Sequence, residues 1–255
     1  SAMSVQLVLA LLLLLLMVVV GGRRGISSFL SLFFNFAVLY VLVLLLINGF
    51  PALVVTLLAC AVVSYINLFY INGVNVKTKA AFVATIVTTF FLSLLTIVVH
   101  RFAMIQGFGP EEVEEYTTLS FFVNVDFVQI GICTMITGTI AAITDTAISI
   151  SSSLYEVYNC NPQLGEKELF RSGMTIGKDI IGTTTNTLYF SFVGSYLALF
   201  LWFRDLSYSF GEALNAKVLV SEVLSMFVIG IGVTGIIPLT AWVTAHMLLN
   251  ESSRD

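Results

Sequence analysis

The feature that most constrains this chain is a series of long apolar runs that have no polar face. Leu11 to Val20 and Val38 to Ile47 contain no charged residue and no alternation of polar and apolar side chains. A membrane barrel strand would instead show about 10 residues of strict alternation, so these runs predict membrane-spanning helices. We therefore expect an all-α, polytopic transmembrane helix bundle in contact with the lipid bilayer, forming a single domain over residues 1–255.

The composition supports this class. The chain is 58% apolar and 10% charged, with a mean hydropathy of +1.01, which is too apolar for a soluble domain of this length. Runs of about 17 to 25 apolar residues predict about seven spans, at 5–20, 27–47, 52–71, 80–99, 127–149, 176–202 and 218–247. No basic patch indicates a nucleic-acid partner.

The basic residues predict how the bundle is oriented. Arg and Lys follow the first, third and fifth spans, which places them on one side of the membrane: Arg23, Arg24, Lys77, Lys79, Lys167 and Arg171. By the positive-inside rule, the amino terminus is then outside and the carboxyl terminus is cytoplasmic. The first span could also be a signal peptide, but its basic pair follows the apolar run, which favours a retained helix. The orientations would permit an inverted three-plus-three repeat with one extra amino-terminal helix.

Residues 101–126 are predicted to form an extracytoplasmic loop. Pro110 followed by Glu111 and Glu112 is typical of a helix start, because proline fits the first helical position and the helix dipole favours acids there. Apolar residues at helical spacing follow, which predicts a short amphipathic helix at the outer membrane surface.

Charged and amide residues interrupt the fifth and sixth runs. Asp145 lies in the fifth, and Lys178, Asp179 and Asn186 lie in the sixth. A charged side chain near the centre of a membrane helix costs about 2.5 to 3.5 kcal/mol, so such residues are candidates for function. On each helix a stripe of small and polar residues continues at helical spacing, including Ser149 and Ser152 beside Asp145 and Thr183 beside Asp179. We expect the two stripes to face each other or a shared cavity.

These residues suggest roles in a solute or ion site. Lys178 would neutralise Asp145 on the neighbouring helix, leaving Asp179 to bind a proton or cation with oxygens from Asn186 and from 183–185, all threonines. Counting from Phe127 at 1.5 Å per residue places Asp145 about 27 Å along its helix, which predicts a charged cluster near the cytoplasmic ends of both helices. A charged rim that only locks two helix ends is the competing interpretation.

Two segments of this region resemble one family. They are Asp145-Thr-Ala-Ile-Ser-Ile-Ser-Ser-Ser-Leu-Tyr-Glu156 and Gly173-Met-Thr-Ile-Gly-Lys-Asp-Ile-Ile-Gly-Thr-Thr-Thr-Asn-Thr-Leu188, and they resemble the YibE/F-like bacterial multi-pass membrane proteins. The resemblance implies a bacterial plasma-membrane location, a transporter role and a related membrane-protein partner. The chain has no large extracytoplasmic region and so is similar to the shorter members of the family.

Other motifs indicate no cofactor, metal site or enzyme. Gly230-Ile-Gly-Val-Thr-Gly235 matches a dinucleotide-binding pattern, but it lies inside an apolar run with no βαβ unit around it. Together with Pro238, it predicts a kinked or interrupted seventh helix. The three cysteines are widely separated, which does not indicate a disulfide or a zinc site.

We therefore expect a membrane permease, or a permease subunit, for a small solute or ion, with its site between spans five, six and seven. The alternative is a non-transporting membrane subunit whose polar stripes dock a related partner or a second copy of the chain.

Overall fold

The computed structural model describes residues 2–103 and 127–252, and all the regular elements in these residues are helical. This confirms the predicted all-α class. The predicted amphipathic helix lies outside the described residues, and residues 101–103 of the predicted loop belong to a helix. The elements are α1 (Ala2–Ile47), α2 (Ala52–Tyr65) with a π-helical turn (Ile66–Tyr70), α3 (Val76–Ala103), α4 (Phe127–Cys160), α5 (Glu166–Asp205), α6 (Phe210–Asn215) and α7 (Lys217–Ser252).

Six of these helices are long and apolar enough to cross a membrane, which confirms the predicted polytopic bundle. The first of them, Val5–Ile47, contains both of the spans predicted at 5–20 and 27–47. Gly22 divides it, with φ 55° and ψ −132°, a conformation that side chains other than glycine rarely adopt. Just beyond this break, a Cβ atom on Gly25 would overlap the carbonyl of Met17. The chain therefore bends sharply between the two predicted spans.

The core lies where α3, α4 and α7 pack together, with α2 against α3 and α4. Its aliphatic side chains include Leu92, Ile136, Ile143 and Ile236, all of them buried. Many threonines are buried with them, and several donate their hydroxyl proton to a carbonyl of the preceding turn, as Thr89 does to Thr85 at 2.8 Å. Such bonds satisfy a hydroxyl within its own helix and let it lie in an apolar contact.

Contacts at both ends fix α3 and α4 as antiparallel neighbours. Near the start of α3, the Lys77 ammonium lies 5.2 Å from the centre of the Tyr155 ring on α4. At the other end, the buried His100 ring lies so close to Gly131 that a Cβ atom there would overlap it. The two helices are therefore in contact along most of the length of α3.

Two glycines on α5 allow this helix to pack closely against α7. A Cβ atom on Gly173 would lie 2.7 Å from the Cβ of Ala241, and one on Gly177 would overlap Ile237. Only hydrogen at these two positions allows the backbones to approach so closely. Toward its other end, α5 packs through Phe203 against the start of α7.

The short helix α6 joins α5 to α7 and is capped at its start. The backbone N–H of Ser209 donates to the Glu212 carboxylate at 2.7 Å, and the backbone N–H of Glu212 donates to the Ser209 hydroxyl at 3.3 Å. This is a capping box, and its hydrogen bonds lower the pKa of Glu212.

Of the predicted kinked or interrupted seventh helix, the interruption is wrong and the kink stays a prediction. Helix α7 runs from Lys217 to Ser252 with Pro238 inside it. Proline has no N–H to donate to the carbonyl of Thr234 one turn earlier, but this loss does not end the helix. Among the helices that the structure describes, the residue with non-helical backbone angles is Gly22 of α1.

The close contact between α5 and α7 can be tested by adding a side chain at one of its glycines. We expect Gly177→Val to destabilise the protein by about 1 to 3 kcal/mol, because the added methyl groups would overlap Ile237. Gly194→Val is the matched control on the same helix, since a Cβ atom there meets nothing within 4 Å. The measurement is the midpoint of thermal unfolding in detergent, followed by the fluorescence of Trp202 and Trp242. Equal midpoints for the two variants would contradict the close contact.

Candidate functional site

A cavity of about 290 Å³ lies between α4 and α5. One of its nine lining residues, Asp145, is charged, and five carry hydroxyl groups. The lining consists of Ala142, Asp145, Thr146 and Ser149 from α4 and Ile180, Thr183, Thr184, Thr187 and Leu188 from α5. The cavity is therefore a polar groove, built where about two turns of α4 face about two turns of α5.

The hydroxyl groups of this lining present their oxygen atoms. Thr146 donates its proton to the carbonyl of Ala142 at 2.8 Å, Thr183 donates to that of Ile180 at 3.0 Å, and Thr187 donates to that of Thr183 at 3.0 Å. With its proton committed to the helix backbone, each hydroxyl can still accept a hydrogen bond or coordinate a cation through a lone pair. A carboxylate with several such oxygens is suited to a proton, a hard cation or a hydrogen-bond donor.

Neighbouring helices give the depth of Asp145. Gly232 on α7 packs against both Leu92 of α3 and Ile143 of α4, so these three residues lie at one level. Asp145 is about 3 Å further along α4. The uncharged stretch 80–99 of α3 has its midpoint between residues 89 and 90, about 4 Å from Leu92. Because α3 and α4 are antiparallel, this displacement is toward the same end of the bundle as the step from Ile143 to Asp145. Asp145 therefore lies close to the middle of the apolar layer.

Asp179 lies at nearly the same depth on α5. Gly177 packs against Ile237, and α5 runs antiparallel to α7, so Asp179 is level with Gly235. This level is about 1.5 Å from that of Asp145 along the bundle. The prediction of a charged cluster near the cytoplasmic ends of the helices is therefore wrong. It took Phe127 as the membrane boundary, whereas α4 has 34 residues and a length of about 51 Å, longer than the apolar layer is thick.

The predicted site residues are divided between two surfaces. Asp145, Ser149 and Thr183 line the cavity together, as the predicted meeting of the two stripes required. Lys178, Asp179 and Asn186 do not line it, and all three side chains are exposed on the outer side of α5. Ser152 is half-buried on α4, one turn beyond the cavity lining.

The predicted ion pair between Asp145 and Lys178 is not formed. In the part of the chain that the structure describes, the ion pair within 4.0 Å joins His246 Nδ1 to Glu166 Oε1 at 3.8 Å. Lys178 lies about 160° around α5 from Ile180, which lines the cavity, so its side chain starts on the opposite side of the helix. Asp145 is left as an uncompensated acid in the cavity.

The polar stripe of α4 lies on the side of the helix away from the core. Its members are exposed from Thr134 through Asp145 to Ser149, while the opposite face carries the buried isoleucines of the core. The stripe therefore borders open grooves rather than a tight helix contact. The lining also includes Thr184, which belongs to the predicted run Thr183 to Thr185, and two residues that were not predicted, Thr146 and Thr187.

A second cavity, of about 670 Å³, lies on the other side of α5 against α7. Its lining is mainly apolar and includes Gly230, Thr234 and Gly235 of the glycine-rich run, together with Tyr189 of α5. Leu188 lines both cavities. The glycine-rich run thus leaves open space beside α5 instead of binding a dinucleotide.

A comparison with protein families supports the resemblance seen in the sequence. The model of the YibE/F-like protein family matches residues 9–250, nearly the whole chain. The chain belongs to the YibE/F-like protein family. The match includes both cavities and the outer side of α5, so the site lies within the part shared with the family. Neither a curated protein nor a solved structure matches the chain.

The polar character of the first cavity predicts that water reaches it. In a Cys160→Ser background, in which the remaining cysteines are buried, we expect Ser149→Cys and Thr183→Cys to react with a charged thiosulfonate in membranes. Ala147→Cys is the control, since that residue of α4 is fully buried. The measurement is the fraction of thiol blocked against later maleimide labelling. Failure of both cavity positions to react would show that the cavity is dry.

Proposed function

We propose that the protein is a permease, or a permease subunit, that moves a small cation or a solute coupled to a proton across the bacterial plasma membrane. The observation that carries this proposal is the position of Asp145, a single carboxylate in a hydroxyl-lined cavity near mid-membrane depth. Ionisable groups at this depth are expensive and usually serve a transport pathway. Transport sites commonly lie near the bilayer midplane.

Asp145 takes the role that the sequence suggested for Asp179. A cation would bind the Asp145 carboxylate together with the oxygens of Ser149 and Thr183, which line the same cavity. A proton would bind the same carboxylate in its place. The bound and empty states would then differ in charge at a site of low dielectric, and this difference can drive a change between two conformations.

The space around α5 supports a conformational step of this kind. Helix α5 has a cavity on each side, one against α4 and one against α7, and Leu188 borders both. The close glycine contacts at Gly173 and Gly177 would form the fixed end of the helix. A tilt of α5 about this contact would widen one cavity while it narrows the other, which is a form of alternating access. The amino terminus would be outside and the carboxyl terminus cytoplasmic, as the basic residues predict.

One observation favours the alternative function, a non-transporting subunit that docks a membrane partner. The outer face of α5 exposes Lys178, Asp179 and Asn186 at a depth where lipid cannot satisfy them. A docking subunit needs such a face, and a permease does not require it. The two functions are compatible if the face joins permease subunits. They are distinguished by whether the loss of Asp145 lowers the rate of transport.

Ion flux in proteoliposomes tests the role of Asp145. Purified protein is reconstituted with a pH-sensitive dye inside the vesicles, and proton movement is followed after a sodium, potassium or magnesium gradient is applied. We expect Asp145→Asn to lower the rate at least about tenfold, because the amide cannot carry a proton or neutralise a cation.

Glu156→Gln is the matched control, since it removes the same charge from an exposed residue of α4 that does not line the cavity. Equal rates for Asp145→Asn and the wild-type protein would contradict the proposed site. A folded wild-type protein that carries no flux under any of the three gradients would contradict transport of these ions and favour the docking subunit.

A further inference from the structure

The outer face of α5 is polar over about three turns and is exposed. Its members are Thr175, Lys178, Asp179, Gly182 and Asn186, all exposed. Asp179 lies near mid-membrane depth, and Asn186 lies about 10 Å closer to the predicted extracytoplasmic surface of the membrane. We call these five residues the α5 outer face.

The charged and amide side chains of the α5 outer face lack partners in the described residues. The side chains of Lys178, Asp179 and Asn186 form no ion pair there, and no hydrogen bond with another side chain. Hydrocarbon offers no hydrogen bonds, so a lipid-facing ammonium, carboxylate and amide within one stretch of helix are strongly disfavoured. Another protein surface must cover this face when the chain is in a membrane.

The geometry points to a second copy of this chain, which we infer packs its own α5 outer face against the first in a parallel, two-fold symmetric dimer. Successive residues on a helix are about 100° apart, so Lys178 and Asp179 lie on either side of a line through Thr175 and Gly182. A two-fold axis beside that line places Lys178 of each copy opposite Asp179 of the other. Two ion pairs then form at one depth, and the four charges cancel.

The residues between the charges fit a close helix contact. Gly182 has no neighbouring atom within 4 Å of its Cβ direction, so its surface is open to a second helix. Thr175, seven residues earlier, is also small, and this spacing lets two parallel helices approach closely. Asn186, one turn beyond Gly182, can hydrogen-bond to its symmetry mate, as a single buried amide does in helix pairs. An unrelated partner would have to supply both charges at matching positions, whereas a second copy supplies them by symmetry.

This inference goes beyond the proposed function and does not depend on it, because no residue of the α5 outer face lines the Asp145 cavity. The first test is disulfide cross-linking in native membranes, in the Cys160→Ser background. Gly182→Cys is expected to form a cross-linked dimer on mild oxidation. Phe90→Cys, at a similar depth on the exposed side of α3, is expected to remain monomeric.

Charge exchange between copies gives the second test. We expect Lys178→Asp and Asp179→Lys each to lower dimer recovery by at least about tenfold, because each brings four like charges together at the two-fold axis. Co-expressed with different tags, these two variants restore opposite charges across the contact, and we expect them to co-purify as a heterodimer. Thermal unfolding of each variant in detergent verifies that the protomers are folded.

Three results would overturn the inference. They are a wild-type protein that is monomeric by light scattering in lipid nanodiscs, equal cross-linking of Gly182→Cys and Phe90→Cys, and folded charge variants that fail to pair when co-expressed. Cross-linking of Gly182→Cys to a different protein, with no homodimer, would also overturn it and would show that another partner covers the α5 outer face.

Discussion

The close contact of α5 with α7 at Gly173 and Gly177 determines which way every polar group of α5 faces. It fixes both the rotation of α5 about its axis and its level in the bundle. With that rotation, Thr183 faces α4 and completes the cavity around Asp145. The same rotation turns Lys178 and Asp179 outward. A larger side chain at either glycine would push α5 away and change both surfaces together.

The free-energy cost of a charge in hydrocarbon explains why these two surfaces are candidates for function. Each charged group at mid-membrane depth costs about 2.5 to 3.5 kcal/mol, and a chain retains such a group only where protein or water surrounds it. Asp145 has hydroxyl oxygens around it and a cavity beside it, which suits a site that binds and releases an ion. Lys178 and Asp179 have neither, which suits a contact between copies.

The sequence predicted the helices well and their mutual arrangement poorly. Apolar runs locate a span because burying backbone in lipid requires a helix of that length. Four of the predicted spans lie within single helices, the span at 52–71 corresponds to α2 with its π-helical turn, and the first two share α1. Helical spacing also identified the polar stripe of α4, but on α5 it grouped Thr183 with Asp179 and Asn186, which lie on a different surface. It could not show which face of α4 would form the core, because small polar stripes and isoleucine faces both pack well in membranes. The isoleucine face of α4 is the one buried against α3 and α7.

The Asp145 and Lys178 pairing failed for a related reason. Sequence distance fixes where a residue lies on its own helix, but the rotation of α5 depends on contacts with α7 that involve residues 60 or more positions away. The depth error came from counting residues from the start of a helix that is longer than the membrane is thick.

The depth of the site is the claim that can be measured most directly. Spin labels at Val83, Phe90, Leu94 and Val98, all exposed on α3, can be compared for their collisions with oxygen and with a water-soluble nickel complex in lipid vesicles. A mid-membrane site predicts that the label at position 90, which is level with Asp145, is the deepest. A maximum at position 98 would place Asp145 about 12 Å nearer the cytoplasmic surface and would contradict a mid-membrane site.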